Sequence, residues 1–270
     1  MNPNNIITLT TDFGTTDIFV GLMKGVILSI NPDAKVIDIT HDIEPQYVYA
    51  GAFLLSSAYR YFPQGTIHVG VIDPGVGSER RAIAVETERY YFVAPDNGLS
   101  SYALCKEKVC CAVNLTNPKY FLPQISNTFH GRDIFAPVAA HLSRGVSLNS
   151  FGEQITNISK ISISTPNTSE SEIVGQIIYV DRFGNLITNI SQRLFESVQN
   201  GRDFMIFVKD RQIQRICRAY AESSAGELLG IFSSFGNLEI AINEGNAAES
   251  LEVKRGDSIK IRFQQWSSDE

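Results

Sequence analysis

No stretch of this 270-residue chain approaches the ~20 consecutive apolar residues that a membrane helix needs. Runs of lysine and arginine are missing too, the densest basic element being the pair Arg80-Arg81. With a net charge of −6, the chain has no basic stripe to hold a phosphate backbone, which argues against nucleic acid as a partner. Cysteine is scarce, and Cys105, Cys110, Cys111 and Cys217 form no C-x-x-C pair. That spacing suits neither a disulfide framework nor a zinc site, and it predicts reduced thiols in the cytoplasm. Histidine pairs of the form H-x-H or H-E-x-x-H are lacking, so no metal is expected. There is no G-x-S-x-G elbow, no Walker A loop and no dinucleotide fingerprint. The opening residues Met1-Asn2-Pro3-Asn4-Asn5 are polar and lack a signal-peptide layout, so the reading is a cytosolic protein without membrane attachment.

What is present is an ordinary globular balance, 43% hydrophobic and 19% charged, which excludes disorder. The β-branched run Ile6 to Thr11 reads as a buried strand. Apolar positions at helical spacing follow over Asp17 to Ile30, stopped by Asn31-Pro32-Asp33. Lys35 to Ile39 reads as a strand, Gln46 to Tyr61 as a helix and Thr66 to Ile72 as a third strand. This alternation predicts an α/β N-terminal domain over residues 1–165 with a largely parallel sheet. A hairpin is expected over residues 82–94, and helices from Ser100 and over Arg132 to Leu142. Residues 155–172, rich in Ser, Thr and Asn, suit a connector. Strand patterns then recur at short intervals, predicting a smaller C-terminal all-β barrel over residues 172–270.

Two strands end in an aspartate followed by a glycine turn, Thr11-Asp12-Phe13-Gly14 and Ile72-Asp73-Pro74-Gly75. One such aspartate is usually a local cap or Asx turn. Two at equivalent edges of a parallel sheet, where ligands bind beyond the carboxyl ends of strands, point to a site between them. His41 and His68 lie at strands and read as packing or turn residues, and His130 lies in a loop before a helix. In Asp181-Arg182-Phe183-Gly184-Asn185 a hairpin turn explains the Asp and Gly-Asn. The same segment also offers a stacking face and an amide for a purine. Gly245-Asn246-Ala247-Ala248 has side chains small enough for backbone to approach a ligand.

Thr11-Asp12-Phe13-Gly14 with Asp17 and Val20-Gly21-Leu22-Met23-Lys24-Gly25, then Val71-Ile72-Asp73-Pro74-Gly75-Val76-Gly77, Phe129-His130-Gly131-Arg132-Asp133-Ile134-Phe135-Ala136-Pro137 and Asp181-Arg182-Phe183-Gly184-Asn185 occur in this order. Together they resemble the S-adenosyl-L-methionine (SAM) hydroxide adenosyltransferase family, hydrolytic relatives of the SAM-dependent fluorinase and chlorinase. The likeness spans about residues 6 to 262 and both domains. It implies hydrolysis of SAM to adenosine and L-methionine, without a metal or cofactor. It also implies a homotrimer whose active sites lie between the N-terminal domain of one subunit and the C-terminal domain of its neighbour.

By the same resemblance Asp73, Arg80 and His130 direct the water, with Arg81 as the competitor for the arginine role. Asp12 holds the ribose hydroxyls, and Asp17, Asp181 and Ser234 contact the methionine end. Phe183, Asn185 and the Ala247 backbone frame adenine, with Glu239 near the base. Phe235 stands where halogenating relatives carry an arginine. Those relatives lack the Asp-Arg-His set and carry an extra loop, whereas Asn97 to Leu115 is short here, so water is favoured over halide. A non-catalytic SAM or adenosine sensor would share the binding residues but has no use for that set.

Overall fold

A computed structural model describes residues 2–162 and 164–264. Position 163 of the expected connector and positions 265–270 of the expected barrel domain lie outside the described residues. The chain divides into two compact units, Met1–Ser162 and Ile163–Glu270.

The first unit runs β1 (Ile6–Thr11), α1 (Phe19–Ile30), β2 (Lys35–Thr40), α2 (Val48–Ala58), β3 (Ile67–Val71), β4 (Ala82–Thr87), β5 (Tyr91–Pro95), α3 (Ser101–Leu104), β6 (Val109–Leu115), α4 (Ala136–Ser143) and β7 (Gly152–Gln154). Its sheet has the order β2-β1-β3-β5-β4-β6-β7. Alternate residues serve opposite faces, as the two-residue strand period requires. Ile7, Leu9, Val69 and Val93 pack with Val20, Met23 and Ile27 of α1 and with Val138 and Leu142 of α4. Ile83, Val85 and Phe92 pack with Leu55 of α2, Tyr59 and Ala103 of α3. The sheet is therefore covered by helices on both faces.

The largely parallel sheet expected from the sequence is instead mixed. β2, β1, β3 and β5 run parallel, whereas β5-β4, β4-β6 and β6-β7 are antiparallel. The physical reason lies in chain length. Only Glu88, Arg89 and Tyr90 separate β4 from β5, enough for a hairpin and far too few for the crossover that parallel neighbours need. β6 and β7 have no counterpart among the expected elements. The expected helix over Arg132 to Leu142 opens with a π-helical turn, Gly131–Phe135, before α4. The expected connector is tied down in part, since Ser159 N–H donates to Asp96 Oδ1 and Ile161 N–H to Ser101 Oγ.

The second unit contains β8 (Asn167–Thr168), β9 (Glu172–Val180), β10 (Leu186–Ser191), α5 (Gln192–Gln199), β11 (Phe204–Val208), β12 (Arg211–Ile213), β13 (Ile216–Cys217), β14 (Leu228–Phe232), β15 (Asn237–Ile242), α6 (Ala247–Leu251) and β16 (Ser258–Phe263). The strands form one nearly closed, barrel-like sheet of order β12-β11-β16-β9-β10-β15-β14-β13, with β8 on β9. Ile177, Leu186, Ile190, Leu238, Ile240 and Ile261 fill its core. All four cysteines are free thiols. No helix among the described residues is long and apolar enough to cross a membrane.

Candidate active site

β1 and β3 are parallel neighbours paired Thr11 to Val71. Asp12 and Asp73 therefore emerge at the same edge, both lining a cleft of about 370 Å³ with Phe13, Phe19, Gln46 and His130. Asp12 Oδ2 accepts the Gln46 N–H at 2.7 Å, where Gln46 adopts a left-handed φ of 66°. Burial pushes the Asp12 carboxyl up; the Gln46 hydrogen bond opposes this and the negative charge of Asp73 adds to it.

Behind the cleft wall, Arg80 joins Asp73 to His130. Its Nε donates to Asp73 Oδ1 at 2.8 Å and Oδ2 at 3.0 Å, and its Nη2 donates to Oδ2 as well. The same Nη2 donates to His130 Nδ1 at 2.8 Å. The guanidinium also lies over the Phe135 ring, 5.4 Å from its centroid. The side chains of Asp73 and Arg80 are only 5% and 11% exposed, so this ion pair is little screened by solvent. Burial, and then the Arg80 charge, hold the His130 imidazole below its ordinary value, with Asp73 and Asp133 working the other way. The two loops meet because Gly77 has no side chain. Its φ is +77°, and a Cβ there would collide with the Asn127 carbonyl of the His130 loop. Asp133, fully buried, braces that loop by accepting from Ser126 N at 2.8 Å and Arg132 Nε at 2.6 Å.

The two candidate arginines separate cleanly. Arg81 Nε donates to Asp96 Oδ2 at 2.8 Å and its Nη2 to the Asn157 carbonyl at 2.6 Å, away from Asp73 and His130. Asp17 is exposed and is not among the residues lining the cleft.

The second unit carries a cavity of about 780 Å³ lined by Asp181, Phe183, Asn185, Ser234, Phe235 and Glu239 among others. Its floor is a rung across four strands. Tyr179 pairs with Ile187, Ile187 with Glu239, and Glu239 with Ile231, and all four line the cavity. Alternate residues Leu186, Leu238 and Ile240 point into the barrel core. Glu239 is thus a carboxyl set between two isoleucines, only 4% exposed, and Tyr220 donates its hydroxyl to Oε1. Burial pushes this carboxyl up, with the charge of Asp181 adding and the Tyr220 bond opposing.

Asp181 serves its own turn. Oδ1 accepts from Phe183 N and Asn185 N, each at 2.9 Å, and Oδ2 from Asn185 Nδ2 at 3.0 Å. That fixes the Asn185 amide and leaves Phe183 75% exposed at the rim. Gly184, at φ +83°, lets Asn246 pack against the turn. Ala247 is fully buried as the first residue of α6, next to a cavity that Gly245 lines.

Sequence reasoning missed Gln46 and Tyr220. A main-chain donor leaves no mark in residue type, and Tyr220 is 19 residues from its partner. Among the described residues no group of three His, Cys, Asp or Glu side chains could hold a metal ion.

Residues 7–152 match the model of the SAM hydroxide adenosyltransferase N-terminal domain, and residues 175–260 that of its C-terminal domain. A protein of Methanocaldococcus jannaschii named (R)-S-adenosyl-L-methionine hydrolase is 38% identical, over 96% of each chain. The fluorinase of Actinopolyspora mzabensis is more distant, 26% identical over 95% of this chain and 96% of its own. The crystal structure of an uncharacterized conserved protein from Thermotoga maritima superposes with a TM-score of 0.89 at 38% identity, covering 95% of this chain and 99% of that one.

Proposed function

The chain belongs to the SAM hydroxide adenosyltransferase family, and on that premise we propose that it hydrolyses S-adenosyl-L-methionine to adenosine and L-methionine. The observation that carries the mechanism is the Asp73-Arg80-His130 chain beside a cleft. Water attacks C5′ in line with the C5′–S bond, the C–O bond forms as the C–S bond breaks, and one proton is released. The sulfonium leaves as a neutral thioether, so no general acid is needed.

The difficulty is the nucleophile, because water is a poor one near neutral pH. Holding it in attack geometry removes several kcal/mol, with a ceiling of about 7–11 kcal/mol. His130 Nδ1 accepts from Arg80, so the neutral ring carries its proton on Nε2 and donates to the water oxygen from there. Asp73 accepts a water proton as the C–O bond forms. Arg80, bridging the two, supplies the positive field that favours hydroxide character.

In the same reading Asp12 holds the ribose diol, its half-buried carboxylate already oriented by Gln46. Phe183 stacks on adenine, and Asn185, Glu239 and the Ala247 backbone read its edge. Asp17, Asp181 and Ser234 serve the methionine end, where their charge and hydroxyl suit an ammonium group. A homotrimer brings the cleft of one subunit to the cavity of the next. The exposed apolar side chains Ile18, Phe19, Leu22 and Leu28 around α1 support such association. Domain limits near 1–165 and 172–270 and a cytosolic location belong to this reading, the latter supported by four free thiols.

The test is incubation with SAM in ¹⁸O-labelled water containing chloride. Adenosine carrying the label at O5′, with unlabelled methionine, is expected. Appearance of 5′-chloro-5′-deoxyadenosine would favour the halogenating relatives' chemistry, and binding without turnover would leave a sensor.

A further inference from the structure

We propose that His41 is a positioning residue for substrate binding, acting through the backbone on both sides of Asp12. The inference rests on Asp12 being the ribose-diol carboxylate. His41 follows the end of β2 and is 5% exposed. Its ring Nε2 lies 3.1 Å from Asp38 Oδ1, and its Nδ1 lies 2.8 Å from Thr11 Oγ1. Nδ1 thus shares a hydrogen bond with the Thr11 hydroxyl, while Nε2 faces the Asp38 carboxylate at ion-pair distance. The Thr11 oxygen also accepts the Phe13 N–H, at 3.3 Å. The His41 carbonyl accepts the Gly14 N–H at 2.8 Å. One buried residue therefore reaches the positions before and after Asp12, through its Nδ1 to Thr11 and its carbonyl to Gly14.

The outer end of this chain is anchored as well. Lys24 Nζ on α1 donates to Asp38 Oδ2 at 2.6 Å, so α1, β2 and the β1 terminus are linked through His41. A histidine needed only for packing would not set both its Nδ1 and its carbonyl on the segment that carries a ligand-binding carboxylate.

The test compares adenosine with 2′,3′-dideoxyadenosine, which lacks the hydroxyls that Asp12 holds. His41→Phe keeps the ring and removes both nitrogens. Asp38→Ala acts at the half-exposed end of the chain and carries the test if the first variant does not fold. We expect His41→Phe to weaken adenosine binding about tenfold, on the scale of one lost hydrogen bond to a charged group. Binding of the dideoxy ligand stays unchanged, and KM for SAM rises while kcat is held. Asp38→Ala gives a smaller loss of the same kind. Equal weakening of both ligands, or of neither, overturns the role of His41. A wild-type protein that hydrolyses SAM yet does not prefer adenosine to the dideoxy ligand overturns the diol assignment of Asp12, and the proposal with it. Absence of SAM turnover is a separate failure, that of the hydrolase reading.

Discussion

The Arg80 guanidinium donates to His130 Nδ1 at 2.8 Å, and this single contact fixes which face of the imidazole is left for the cleft. With Nδ1 accepting, a neutral ring has only Nε2–H to offer. His130 then orients an attacking oxygen as a donor, and the proton-accepting duty falls to Asp73.

Removing either end of that chain should separate binding from chemistry. Asp73→Asn and His130→Ala are expected to lower kcat by about 10²–10⁴, the usual range for a positioned acid–base group. Adenosine binding, measured by calorimetry, should persist in both. Unchanged turnover in either variant refutes its assignment.

The same contact sets a pH dependence. Burial and the Arg80 charge depress the His130 value, so the ring stays neutral somewhat below the ordinary histidine range. The acid limb of kcat/KM should lie below about pH 6.5, the unperturbed value. Arg80→Gln removes the depressing charge, so the limb of its residual activity should move to higher pH. A limb that moves down would contradict the electrostatic account.

Fold stability should respond to a different histidine. His68 is fully buried beside Tyr59, Phe62, Tyr90 and Phe92, and burial pushes it down to about 3. Its neutral form is held in the fold, while the unfolded chain takes up a proton below about pH 6.5. Stability should therefore fall as pH drops from about 6.5 towards 3, by up to about 1.4 kcal/mol per pH unit from this residue. Urea unfolding of His68→Phe should show a flatter dependence over that window.

Phe183 and Tyr220 test the second cavity. Phe183→Ala should weaken adenosine binding by about 1–3 kcal/mol, the scale of base–aromatic stacking. Tyr220→Phe frees Glu239 from its hydroxyl partner and should raise KM for SAM with little change in kcat. If adenosine affinity survives Phe183→Ala intact, the base does not stack on that ring.

Part of the site was legible in one dimension because local chemistry writes it there. A β-branched run ending in Asp-Phe-Gly or Asp-Pro-Gly marks a strand terminus and a turn, which puts Asp12 and Asp73 at a sheet edge. Whether the edges coincide depends on β1 and β3 being neighbours, with β2 displaced to the other side of β1. The choice between Arg80 and Arg81 was open in the sequence because the two differ by one position. Consecutive residues of extended chain point to opposite sides, and that alternation sends one to Asp73 and the other to Asp96. The mixed sheet escaped the pattern because strand direction is set by connection length and by which strand a hairpin joins. β5 returns antiparallel from β4 yet docks parallel to β3.

The sequence by itself determined the strand and helix periods, the turns that expose the aspartates and the family. Tertiary structure alone decided that Arg80 stands between Asp73 and His130, that Tyr220 reaches Glu239 and that Gln46 and His41 brace Asp12. These are contacts between residues far apart in the chain, made by side-chain direction and backbone donors. Residue type carries no record of either until the sheet order brings them within hydrogen-bond reach.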